Sequence, residues 1–253
     1  MSEPTANSSP ITVVLVHGAF ADSSSWNGVI ERLQAAGIQV AAPPNPLRGI
    51  SIDSAYIASF LEQIPGPVLA VGHSYGGAVI TNAATDASNV VGIVYVAAFA
   101  PDEGERLGEV ASDSRDSVLL TALAPLQYPT GDGEETAVEF AIDPAKFHDA
   151  FAADLPREQT AVMAATQRPI AESAFSEASG APAWKSRPSW AVVATGDKAA
   201  GSDLTRSMAE RAGATITELE GSHVIMVSQP EAVADVIQTA AAAVDRTVAA
   251  AGG

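Results

Sequence analysis

Cysteine is absent from these 253 residues, which excludes disulfides, thiolate nucleophiles and cysteine-ligated metals. Cations are scarce: 13 lysines and arginines face 30 acids, for a formal charge of −17. Only Lys146, Lys185 and Lys198 are lysines. So few scattered cations build no basic patch, so nucleic acid and anionic membrane are poor partners. No apolar run approaches the roughly 20 residues of a membrane-spanning helix. Residues 1–10 are polar and lack the cationic and apolar regions of a signal peptide, and the tail from Thr247 is expected to fray. A cytoplasmic location is the resulting expectation. What is present is a 47% hydrophobic composition, enough for a substantial core and too high for global disorder.

Strand and helix patterns alternate along the first hundred residues. Ile11–His17 is a continuous β-branched run, as suits a strand buried on both faces. Trp26, Val29, Ile30 and Leu33 then recur at helical spacing over 25–36, and Gly37 ends the pattern. A short strand at 38–41, a helix at about 53–63 with Asp53 as its N-cap, a strand at 67–72, a helix at 76–87 and a strand at 90–97 follow. This rhythm predicts an α/β fold with a mostly parallel sheet and helices on both faces. It breaks after Pro101 and resumes at 188–195, with a helix at 203–212, a strand at 214–219 and a helix at 230–245 opened by Pro230. The reading is one domain over 1–253, with a core at about 10–102 and 188–247. An insertion occupies about 103–187. Its start is acidic, Gly131 and Gly133 punctuate a loop, and helices are expected near 144–153 and 156–167.

Residues 72–76 read Gly-His-Ser-Tyr-Gly between an apolar strand and a helix. A sharp strand-to-helix turn of this G-x-S-x-G type exposes its central side chain, so Ser74 is the candidate nucleophile. A serine needs a base. Of the four histidines, His17 and His73 are expected to be structural, and His148 is expected on the surface of the insertion. His223 follows the last strand, at the sheet edge where sites in open α/β sheets collect. It is the candidate base. Asp197, in the loop after strand 188–195, is the candidate acid, in the chain order Ser, Asp, His. Asp102 and Asp203 remain rivals by position. The oxyanion needs two backbone N–H donors, one from Tyr75 and one from Ala19 or Phe20 in the loop after the first strand.

With HGAF at 17–20, GHSYGG at 72–77, TGDK at 195–198 and GSHVIMVSQPEAV at 221–233, the chain resembles the α/β-hydrolase superfamily over nearly its whole length. It looks most like the plant-type methyl esterase and hydroxynitrile lyase branch and its bacterial esterase relatives. The resemblance implies an α/β-hydrolase fold with a helical cap inserted after the strand at 90–97. It also implies Ser74 as nucleophile, His223 as base, Asp197 as acid, and Ala19 and Tyr75 as oxyanion donors. The lyases of that branch carry a lysine after the catalytic histidine and a threonine after the first histidine of HG. Here those positions hold Val224 and Gly18, which disfavours cyanohydrin cleavage.

The expected activity is therefore hydrolysis of a small or medium neutral carboxylic ester through an acyl-enzyme, with no cofactor and no metal. The alternatives are a lyase or perhydrolase on the same triad, or a ligand-binding receptor with slow turnover. Phe20, Phe99, Phe147, Phe151, Trp184 and Val224 are the candidate substrate-binding residues. The expected partner is a small-molecule ester, with a homodimer left open.

Overall fold

The computed structural model describes residues 10–131 and 133–251. The expectation for the leader falls largely on residues 1–9, which lie outside this range, as do Gly252 and Gly253 of the tail. The first half of the core runs β1 (Thr12–Val16), α1 (Asn27–Ala35), β2 (Gln39–Ala41), α2 (Ile50–Glu62), β3 (Val68–His73), α3 (Tyr75–Asp86) and β4 (Val90–Val96). The segment after it runs α4 (Leu107–Ser112), α5 (Leu119–Ala122), β5 (Leu123–Pro129), β6 (Thr136–Ile142), α6 (Pro144–Phe151), α7 (Arg157–Thr166), β7 (Ile170–Ala171) and α8 (Ser173–Ser176). The core then closes with β8 (Ser189–Ala194), α9 (Ser202–Arg211), β9 (Thr215–Leu219), α10 (Ile225–Ser228) and α11 (Pro230–Ala251).

Six parallel strands form the central sheet in the order β2-β1-β3-β4-β8-β9. Every residue of β1 and β3 is buried, and the reason is that helices cover both faces. The packed pairs α1 with α11 and α2 with α3 supply those covers. The chain leaves β1 toward β2 and then crosses back to place β3 on the other side of β1. This reversal opens a crevice beyond the carboxyl ends of β1 and β3, the place where open α/β sheets bind their ligands.

Three expectations require correction. The cap is not purely helical, because β5, β6 and β7 form a separate antiparallel sheet, with β5 and β6 pairing from Leu123↔Ile142 to Pro129↔Thr136. Pro125 and Pro129 obscure β5 in the sequence. They are tolerated there because β5 is an edge strand of that sheet. Gly131 and Gly133 mark the hairpin turn, both at positive φ. Second, α2 starts at Ile50, so Asp53 lies inside its first turn and the N-cap position is Gly49. Third, α11 continues to Ala251, where fraying was expected from Thr247.

The cap is fastened to the core beside α2. The Arg48 guanidinium pairs with Glu139 of β6 at 2.7 Å, and Ala171 N–H donates to Leu47 O at 3.0 Å. Asn82 of α3 bonds Ser179 and Gly180 on the far side. No described helix is long and apolar enough to cross a membrane.

Candidate active site

The turn between β3 and α3 places Ser74 at φ 54° and ψ −124°, a left-handed conformation that costs a non-glycine residue about 1–3 kcal/mol. The surroundings hold it there. Ser74 N–H donates to Val96 O at 3.3 Å, and Ser74 O accepts from Phe99 N–H at 3.2 Å and Gly77 N–H at 2.9 Å. Glycine flanks the serine because the backbone doubles back: a Cβ on Gly72 would lie 2.6 Å from the Gly76 carbonyl carbon and the Gly77 nitrogen. Tyr75, first residue of α3, has its N–H at the open end of that helix, ahead of intrahelical bonding. Its hydroxyl donates to Asp53 Oδ2 at 2.7 Å, and Asp53 also accepts from Arg48 N–H. Burial pushes the Asp53 carboxyl up from its usual range, against those hydrogen bonds. The aspartate read from sequence as a helix cap is thus an anchor for Tyr75, the residue after Ser74.

His223 lies in the loop after β9, and Asp197 in the loop after β8. His223 Nδ1 is 2.8 Å from Asp197 Oδ2, with both side chains essentially out of solvent. The other oxygen, Oδ1, accepts from Ala199 N–H at 2.8 Å and Ala200 N–H at 3.0 Å. A carboxylate can only accept, so His223 carries its proton on Nδ1 and leaves the Nε2 lone pair free. Among the described residues, neither Ser74 Oγ nor His223 Nε2 makes a hydrogen bond. Such bonds are often long in unliganded sites and tighten when substrate arrives. The rival acids are occupied elsewhere: Asp102 pairs with Lys185 at 2.5 Å, and Asp203 accepts from Ser114 Oγ at 2.6 Å.

His73 joins the two halves. Its Nε2–H donates to the His223 carbonyl at 2.9 Å, and the two rings lie 4.6 Å apart. Burial holds its pKa well below the usual histidine value, so the ring is neutral. His17 is also buried and neutral, its pKa lowered to about 4 chiefly by desolvation. Both histidines therefore have the structural character expected of them. His148, expected at the surface, is half-buried, its Nδ1 2.7 Å from Asp149 Oδ1 and its Nε2 3.2 Å from Leu155 O.

The loop after β1 completes the site. A Cβ on Gly18 would come within 2.6 Å of Ser74 Cβ, so only glycine lets this loop pass Ser74. Phe20 N–H is engaged with Arg168 O at 3.1 Å, whereas Ala19 N–H has no partner among the described residues. Of the two donors the sequence allowed, the structure leaves Ala19 free.

The cap covers this arrangement. Phe151 of α6 lies 5.0 Å from the His223 ring and stacks edge-on against Phe20 at 6.1 Å. Phe147 packs behind Phe151, and Val224 is fully buried beside His223. Phe99 meets the elbow through its backbone. Trp184 does not belong to this group: its Nε1–H donates to Pro101 O and its ring faces Lys185 and Arg211. Ser74 is only 6% exposed. A cleft of about 360 Å³ opens between the loop after β1, α7 and α10, lined by Phe20, Asp22, Val162, Met163 and Val227 among others, with neither Ser74 nor His223 in its walls.

Nothing in the sequence pointed to Asp154, which sits between α6 and α7 and accepts from both N–H and Oγ of Ser222, the neighbour of His223. Burial opposes its ionisation, but the Ser222 hydrogen bonds outweigh this and hold the carboxyl below its usual range. No spacing motif links residues so far apart in the chain. Among the described residues, no cluster of three histidines or acids is placed to hold a metal ion.

A parallel sheet with a serine elbow after β3, an acid after β8 and a histidine after β9 defines an α/β hydrolase. The chain belongs to the alpha/beta hydrolase family, whose model matches residues 13–236. It is similar to a carbendazim hydrolyzing esterase from Nocardioides sp., with 32% identity over 107 residues. That match spans 37% of this chain and only 44% of the length of that relative. In fold it is similar to polyneuridine aldehyde esterase, with a TM-score of 0.76 and 20% identity over 89% of this chain and 97% of the other. A methylesterase from Arabidopsis gives a TM-score of 0.74 and 20% identity over 92% of this chain and 99% of the other.

Proposed function

We propose that the protein hydrolyses small or medium neutral carboxylic esters through an acyl-enzyme on Ser74. His223 Nε2 takes the Ser74 proton as Oγ attacks the ester carbonyl. The Ala19 and Tyr75 N–H groups receive the oxyanion. His223 passes the proton to the departing alkoxide, then draws a proton from water as its oxygen attacks the acyl carbon, and returns that proton to Ser74 Oγ as the acyl–Ser74 bond breaks and the carboxylic acid leaves. Asp197 keeps the imidazole in the reactive tautomer and stabilises the imidazolium.

The observation that carries this reading is the strained Ser74 at the sheet edge that also holds the buried Asp197–His223 pair. The esterase names of the similar proteins support the choice of ester over other acyl groups. The cleft beside Phe20 supports the substrate class: its walls include Val162, Met163, Val227 and the acidic Asp22 and no cation, and it lies next to the His17–Phe20 loop without reaching Ser74 or His223. The chain's charge of −17 disfavours strongly anionic esters at low salt. Val224 after the base leaves no cation for a departing cyanide.

A panel of p-nitrophenyl esters of increasing acyl length, run beside Ser74→Ala, tests the class and sizes the acyl site together. Turnover of short and medium chains that disappears in the variant supports the reading. Equal turnover by both proteins overturns it.

A further inference from the structure

The loop His17–Phe20 bends sharply. Phe20 adopts φ 60°, another left-handed non-glycine conformation that persists only where the surroundings enforce it. Its N–H donates to the carbonyl of Arg168 at 3.1 Å. Arg168 belongs to the cap, between the end of α7 and the start of β7. The same residue reaches the other end of the loop with its side chain. Arg168 Nη1 donates to Asn45 O at 3.0 Å and approaches His17 Nε2 at 3.3 Å.

Asn45 completes the grip. Its backbone N–H donates to His17 Nε2 at 2.9 Å, and its side-chain amide donates to His17 O at 3.0 Å. Because Nε2 accepts, His17 carries its proton on Nδ1, which donates to Gly18 O at 2.9 Å. Both ends of a four-residue loop are therefore held by one cap residue, the carbonyl at Phe20 and the guanidinium at the His17–Asn45 pair. Between them lies Ala19, whose N–H is left free and faces no competing acceptor among the described residues.

We propose that Arg168 is a positioning residue for the oxyanion hole: the cap, through this one side chain and its carbonyl, sets the Ala19 N–H for the transition state. The inference rests on the serine-esterase reading above. It predicts that seating the cap and assembling the oxyanion hole are one event. Arg168 makes no hydrogen bond to Ser74, His223 or Asp197; it acts through Phe20, His17 and Asn45.

The test compares Arg168→Ala and Arg168→Lys with the parent in three measurements. These are kcat and KM on p-nitrophenyl butyrate, the rate of covalent labelling by a p-nitrophenyl alkylphosphonate, and amide hydrogen exchange at Phe20. Misplacing one oxyanion donor should lower kcat and the labelling rate together by about 30–100-fold in Arg168→Ala, with KM within about threefold. Arg168→Lys should recover part of the loss, and Phe20 exchange should rise while β1 and β3 stay protected. Should the alanine variant fail to fold, the lysine variant still has to show lower kcat at unchanged KM. The proposal is overturned if kcat and labelling in the folded variants stay within about threefold of the parent. Failure of the parent itself to label would instead overturn the serine-esterase reading on which the proposal stands.

Discussion

The Nδ1–H of His223 donates to Oδ2 of Asp197 over 2.8 Å, in a place where neither side chain meets solvent. The second carboxylate oxygen is held by two backbone N–H groups, from Ala199 and Ala200. That asymmetry makes the pair unusually informative. In Asp197→Asn, the two N–H donors require the amide oxygen on their side, so the NH₂ group turns toward His223. A donor at Nδ1 forces the imidazole proton onto Nε2, the nitrogen that must accept from Ser74. The variant should fold normally by circular dichroism and lose about 10⁴-fold in kcat on a p-nitrophenyl ester. A loss of less than about tenfold would show that Asp197 does not set the tautomer.

Acid stability should report the two buried structural histidines. Folded His17 has its pKa lowered to about 4, and that of His73 is lowered well below 6.5, in both cases first by burial. The unfolded chain takes up these protons as pH falls below about 6.5, while the folded chain does not. Stability is therefore full above that pH and declines as pH drops toward 4. His17 alone is worth up to about 3 kcal/mol over this window. Asp154 and Asp203, whose carboxyls are held below their usual range, lose their contribution only at lower pH, below the ordinary carboxylate value. Asp53, its carboxyl raised by burial, works in the opposite direction as pH falls, so urea midpoints are best measured from pH 7 to 4.5 in Asp53→Asn beside the parent; they should fall in the variant, and a flat profile there would contradict the neutral, buried assignment.

The cleft beside Phe20 gives a size prediction. Met163 and Val162 of α7 stand on its cap side. Met163→Trp should narrow it and reduce kcat/KM for long-chain or aryl esters by about tenfold or more, with acetate esters changed less than about twofold. A uniform loss across the panel would place the substrate elsewhere.

Much of this architecture was legible because buried parallel strands leave continuous apolar runs, as in Thr12–Val16 and Val68–Val71. The serine elbow and Asp197 were legible because each follows such a strand, whereas His223 follows the partly exposed edge strand Thr215–Leu219 and was legible from its place late in the chain. The cap hairpin was not. Pro125 and Pro129 in one strand and the acids around the other hide a pairing that burial does not demand, since most of β5 and β6 is partly exposed. Asp53 was misread for a different reason. An acid near a helix start looks like a cap, and only the fold reveals Tyr75 Oη 2.7 Å away. The Asn45–His17–Arg168 set and the Asp154–Ser222 pair join residues from distant segments. No local pattern announces such contacts, because the cap meets the core only once the chain has folded.

The most direct test of the account is the site and stoichiometry of phosphonate labelling, read by intact mass and peptide mapping, with Ser74→Ala alongside. The account predicts a single adduct on Ser74, loss of ester turnover in proportion to labelling, and no adduct in the variant. An adduct on another residue, or ester hydrolysis by Ser74→Ala at the parent rate, would contradict it.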